Sequence, residues 1–239
     1  MKLGILGGMG PFASTELLHT IYRLNMGESE QGSPVCLLYS DPTIPDRTTA
    51  ILNGDTREVA ERITHGLQEL ERLGADRMVI ACVTAHDMLP QVPEALRGKV
   101  ISLFDLMADE LLAQPEPGLL LSTIGTRKAR IFERHPRWPE IEPWLALLDE
   151  EDLQHLHKQL YGLKRGIPGD PEKLLKWVDT LPGKYGRSTL LFGCTELHLL
   201  HRAIEARGEG VGYRIIDPLY VVARDLGRWE LGRVVRHQA

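Results

Sequence analysis

Three cysteines in 239 residues are too few, and odd in number, for a disulfide framework, and point to a reducing compartment. Aromatic residues make up only 6% of the chain, and no apolar run reaches transmembrane length. An excess of positive charge is also missing: 28 Lys and Arg against 33 Asp and Glu leave a net charge of −5, which argues against general affinity for nucleic acid or anionic membrane. The apolar stretch after Lys2 is broken by glycine from Gly4 onward and is too short for a signal peptide. The expectation is a cytoplasmic protein with neither nucleic acid nor membrane as a partner.

What the chain does contain is apolar runs alternating with helical patterns, the signature of βα units and a mainly parallel sheet. Leu3 to Leu6 reads as a strand ending in Gly7-Gly8-Met9-Gly10-Pro11, with a helix from Pro11 to about Leu24. Strands follow at Val35 to Tyr39 and Arg77 to Ala81, separated by an amphipathic helix from Thr56 to Leu73 that Gly74 ends; Val100 to Leu103 is a further short strand, with a helix from Leu106 to Ala113 behind it. After the proline-rich break Gln114 to Gly118 the pattern restarts, with Leu119 to Ser122 as a strand and Thr123-Ile124-Gly125-Thr126 where the glycine loop stood. This suggests a duplicated α/β half. Tyr213 to Ile216 and the helix from Pro218 to Leu226 are expected to return to the first half. The domains are then 1–99 with 208–239, and 100–207.

Two stretches share one shape: Met78-Val79-Ile80-Ala81-Cys82-Val83-Thr84-Ala85-His86 and Leu190-Leu191-Phe192-Gly193-Cys194-Thr195-Glu196-Leu197-His198. Each places a thiol at the carboxyl end of a buried strand, where a helix should begin and where open α/β sheets bind ligands. Paired thiols facing each other suit removal of a proton from one face of a carbon and its return to the other. Thr84 and Thr195 add hydroxyl donors. Cys36, inside the strand Val35 to Leu38, reads as a small buried hydrophobe. A zinc site from Cys82, His86, Cys194 and His198 lacks the usual close ligand pairs; His86 is better placed to assist Cys82. Gly8-x-Gly10-x-x-Ala13 fits a loose dinucleotide fingerprint but leaves the thiols unexplained. Arg47 and Lys164, taken alone, read as surface cations.

The motifs resemble the cofactor-independent aspartate/glutamate racemases over nearly the whole length. The likeness rests on Gly4-Ile5-Leu6-Gly7-Gly8-Met9-Gly10-Pro11, Pro45-Asp46-Arg47-Thr48, Ala81-Cys82-Val83-Thr84-Ala85-His86, Gly125-Thr126, Gly193-Cys194-Thr195-Glu196 and Ile216-Asp217-Pro218. The resemblance implies two similar α/β domains related by pseudo-symmetry, with mainly parallel sheets, the active site in the cleft between them, and a homodimer. It implies Cys82 and Cys194 as acid/base thiols, and no cofactor or metal. Met9, Thr84, Thr126 and Thr195 would contact the α-amino acid end of an acidic amino acid, aspartate before glutamate. Arg47 and Lys164 would bind its side-chain carboxylate, and Glu196 belongs to the same substrate-binding set. The pattern departs at Val83, where the family has asparagine that helps to bind substrate. Other carbon-acid reactions, such as hydantoin racemisation or maleate isomerisation, are the nearest rivals, followed by a binding protein without turnover.

Overall fold

The computed structural model describes residues 1–166, 171–206 and 211–230. Among the described residues seven strands form two all-parallel sheets: β1 Lys2–Gly7, β2 Val35–Ser40 and β3 Arg77–Ile80 in the order β2-β1-β3, and β4 Gly118–Leu121, β5 Leu145–Leu147, β6 Thr189–Phe192 and β7 Arg214–Ile216 in the order β5-β4-β6-β7. Val100 adds one parallel bridge to Met78. It occupies the edge of the first sheet that β7 occupies in the second. Register confirms the repeat. Leu3 faces Cys36 on one side and Arg77 on the other, as Gly118 faces Leu145 and Thr189.

Strand alternation joins the halves. Successive side chains point to opposite faces, so Leu3, Ile5, Val79 and Ala81 enter one core while Leu6, Met78 and Ile80 enter another. In the second sheet Leu120, Leu191 and Ile216 join that first core, whereas Leu119, Leu121, Leu190 and Phe192 face a third. The inner faces of both sheets therefore share a single core. It is completed by Leu17 and Ile21 of the helix Pro11–Asn25, by the helix Leu103–Ala113 and by the helix Pro218–Arg224. Burial on both faces is why the strands read as unbroken apolar runs.

Two expectations need correction. Arg214–Ile216 pairs with β6 in the second sheet and does not return to the first half; only the following helix packs against Pro11–Asn25. Residues 207–210 and 231–239 of the expected 208–239 segment lie outside the described residues. Val100 to Leu103 is not a strand of its own, because Ser102 caps the helix Leu103–Ala113 by accepting the Asp105 N–H at 3.1 Å. The strand β5 and the helix Glu150–Lys164, which carries Lys164, were not legible in the sequence.

Candidate active site

The site forms where the loops after β1 and β3 meet those after β4 and β6, at the carboxyl ends of the central strands of both sheets. Gly8 turns the chain after β1 with φ +91°, and any Cβ there would lie 2.3 Å from the Asp41 backbone, so only glycine fits. Cys82 and Cys194 each stand two residues past a strand end, are 4% exposed and are free thiols. Neither opens an α-helix. The 3₁₀ turns Thr84–Gln91 and Thr195–Leu197 follow them, so the aligned amides of a long helix are not at hand to favour a thiolate.

Charged side chains surround the thiols. Arg47, 6% exposed, donates through Nη1 to the carbonyls of Ile44 (3.2 Å) and Pro45 (2.9 Å), and through Nη2 to that of Met9 (2.9 Å). Its Nε is buried without a partner, and the guanidinium also engages the Cys82 side chain. Burial opposes the Arg47 charge, but Cys82, Asp46 and Glu196 favour it and raise the guanidinium pKa above its ordinary value. The Cys194 thiol donates to Glu196 Oε2 at 2.9 Å, and Glu196 Oε1 accepts the Gly10 N–H at 3.2 Å. Burial and then the Glu196 charge push the Cys194 pKa well above its ordinary value, so this thiol rests protonated. Lys164 Nζ lies 4.0 Å from Glu196 Oε1 and 4.7 Å above the Tyr161 ring. Burial opposes its charge, while Glu196, Cys194 and Cys82 favour it and raise its pKa. One ammonium thus senses both thiols.

The threonines brace the halves. Thr84 Oγ1 lies 2.9 Å from Thr126 Oγ1, and Thr195 Oγ1 donates to the Ala81 carbonyl at 3.1 Å. Gly125 packs so tightly on Thr48 that a Cβ would lie 2.3 Å from Thr48 Oγ1. Tyr161 donates to Asp46 Oδ2 at 2.9 Å. His86 does not aim at the Cys82 thiol. Its Nδ1–H meets the Cys82 carbonyl at 3.0 Å and its Nε2 accepts the Leu103 N–H at 3.4 Å. That tautomer is neutral, and burial lowers the ring's pKa further from the charged form. Val83, 3% exposed, belongs to the shared apolar core with Phe104, Leu120 and Phe132. Cys36 is half-buried on the edge strand, with burial pushing its pKa up to about 11. Among the described residues no group of three or more His, Cys, Asp or Glu side chains could hold a metal ion, and no helix is long and apolar enough to cross a membrane.

A match to the Asp/Glu/hydantoin racemase family spans residues 6–226. The chain belongs to that family. The broad specificity amino-acid racemase RacX of Bacillus subtilis is 25% identical over 138 residues, a match covering 55% of this chain and 59% of that protein. The fold is that of Picrophilus torridus aspartate racemase, with TM-score 0.75, 23% identity, and 95% and 93% of the two chains covered. Thermus thermophilus glutamate racemase superposes with TM-score 0.58 at 21% identity over 100% and 84% of the chains. Within this racemase-family chain, three features escaped the sequence reading: the Cys194–Glu196 hydrogen bond, the Thr48–Gly125 contact and a buried His198–Asp217 pair. The third left a trace, because Asp217 before Pro218 is a recognisable helix cap.

Proposed function

We propose that this racemase-family protein inverts the α-carbon of an acidic amino acid, aspartate before glutamate, using Cys82 and Cys194 as its two acid/base groups. The observation that carries this reading is the charge set around the thiols. A buried cation, Arg47, a half-buried one, Lys164, and one buried carboxylate, Glu196, complement the two carboxylates and one ammonium of such a substrate. The unpartnered Nε–H of Arg47 suits a carboxylate oxygen, which accepts a charge-assisted hydrogen bond from a guanidinium.

Cys194 is held as a thiol by Glu196, and Cys82 lies beside the Arg47 charge. In one direction the Cys82 thiolate takes the α-proton and the Cys194 thiol gives one to the opposite face; the reverse direction exchanges the roles. The developing negative charge on the substrate is offset by Lys164 and Arg47, already in place before the proton moves. His86 acts at a remove, fixing the Cys82 backbone. A homodimer and a cytoplasmic location complete the reading. Incubation with each enantiomer of aspartate and glutamate in deuterated water tests it. Incorporation of α-deuterium together with inversion supports the assignment. Exchange and inversion absent from both amino acids, with a folded protein, refutes it.

A further inference from the structure

The two Cys-to-His repeats have diverged in what the histidine does. His86 is a neutral brace within its own half. His198, only 1% exposed, reaches across the molecule: Nδ1 lies 2.6 Å from Asp217 Oδ2 and Nε2 lies 3.1 Å from Thr20 Oγ1. A carboxylate accepts only, so Nδ1 carries a proton, while Nε2 faces a hydroxyl that can donate or accept. Asp217, 1% exposed, is itself fully engaged: Oδ1 takes the N–H groups of Leu219 and Tyr220, and Oδ2 also meets His201 Nδ1 at 3.1 Å.

The segment that begins at Cys194 and runs through the helix His198–Ala206 lies along the helix Pro11–Asn25. At the active-site end the contact is Gly10 N–H to Glu196. Further out, Arg202 donates to Glu16 at 3.0 Å and Arg23 to Glu205 at 2.6 Å. His198 is the buried rung between them and directly follows the turn that carries Glu196.

We propose that His198 is a positioning residue: as a buried imidazolium it clamps the Cys194–Glu196 turn onto the helix Pro11–Asn25 and so holds the second thiol against the first half. Only the catalytic consequence rests on the two-thiol reading; the clamp does not. Burial opposes the ring's charge, yet Asp217 and then Glu16 raise its pKa above the ordinary value, and the same pairing holds Asp217 well below the usual carboxylate range. The other groups facing the pair are His201, stacked on Tyr220 at 4.2 Å, and the Glu16 carboxyl, which Arg202 and His19 engage. A raised imidazole pKa makes the clamp complete below the ordinary histidine range and loosens it as pH rises through the shifted value.

Long-range ¹H–¹⁵N spectra of the histidine-labelled protein test the charge without any substrate. One ring, identified by its loss in His198→Gln, is expected to carry protons on both nitrogens at pH 7, above the ordinary histidine value, and to become neutral there in Asp217→Asn. A neutral wild-type ring at pH 7 overturns the proposal. Mapped iodoacetamide labelling tests the positioning. Cys194 should react at least tenfold faster in His198→Gln and about threefold faster in Thr20→Val, with Cys82 unchanged. Wild-type labelling at Cys194 in both variants overturns the clamp. Where aspartate turns over, kcat in His198→Gln should fall at least tenfold with KM within twofold, and an unchanged kcat removes the catalytic consequence. Failure of every substrate with the spectra and labelling as expected refutes the substrate reading alone.

Discussion

Gly125→Ala is the sharpest test of how the halves are held. The new Cβ would lie 2.3 Å from Thr48 Oγ1 and 2.7 Å from both Thr48 Cβ and Cγ2, where ordinary contact begins at 3.4 Å. The loop after β4 must therefore retreat from the Arg47–Asn53 helix by about 1 Å, or Thr48 must leave its place. Overpacking of this size costs roughly 1–3 kcal/mol, which for a chain of this length lowers the melting temperature by roughly 2–12 °C. Thr126 adjoins Gly125 and bonds to Thr84, two residues from Cys82, so the displacement reaches the site. A shift of about 1 Å in reacting groups can cost about a hundredfold in rate. The three nearest atoms all belong to the Thr48 side chain, so Thr48→Gly should rescue the variant, at a cost of about 1 kcal/mol for glycine in a helix. Thr48→Ala should not, because its Cβ stays within 2.7 Å. Thermal unfolding and racemisation rates on the double-mutant cycle measure the coupling. A Gly125→Ala protein that melts and turns over like the wild type, or additive effects across the cycle, would refute the close-contact argument.

Further outcomes follow from the same geometry. Cys82→Ala and Cys194→Ala should each abolish net inversion with circular dichroism unchanged; full racemisation by either ends the two-base reading. Cys36→Ser should leave the rate within about twofold, since a thiol with a pKa near 11 is protonated and inert at neutral pH. Arg47→Lys cannot reproduce a fork that meets three carbonyls and still offers its Nε–H to substrate. Losing one charge-assisted bond costs roughly 1.5–3 kcal/mol, so kcat/KM for aspartate should drop by about tenfold to more than a hundredfold, while that for alanine, which lacks the distal carboxylate, should fall less. Val83→Asn places an amide in the shared apolar core, where an unpaired polar group costs about 1–3 kcal/mol. It should lower the denaturant midpoint without improving turnover, and a gain in aspartate turnover would show that position 83 faces the substrate.

Local pattern carried much of this protein. The apolar runs Leu3 to Leu6 and Leu190 to Phe192 name buried parallel strands, because a strand covered on both faces has no polar side to show. The glycine cluster Gly7-Gly8-Met9-Gly10 marks a turn after the first strand without saying which glycine makes it, and the repeated cysteine context marks equivalent strand ends in both halves. Weaker signals failed where few residues carry them. β5 has three residues on an edge, and Arg214–Ile216 offers nothing in sequence to say which sheet it joins.

The charge state and partner of each site residue were decided only in three dimensions. Glu196 is bound to the Cys194 thiol, His86 to backbone and His198 to Asp217, although the histidines occupy the same place in the repeat. Hydrophobic periodicity is a property of neighbouring residues and survives in a linear chain. A pKa or a hydrogen bond depends on which groups burial brings within about 3 Å, and the partners here stand from 2 to 186 residues apart.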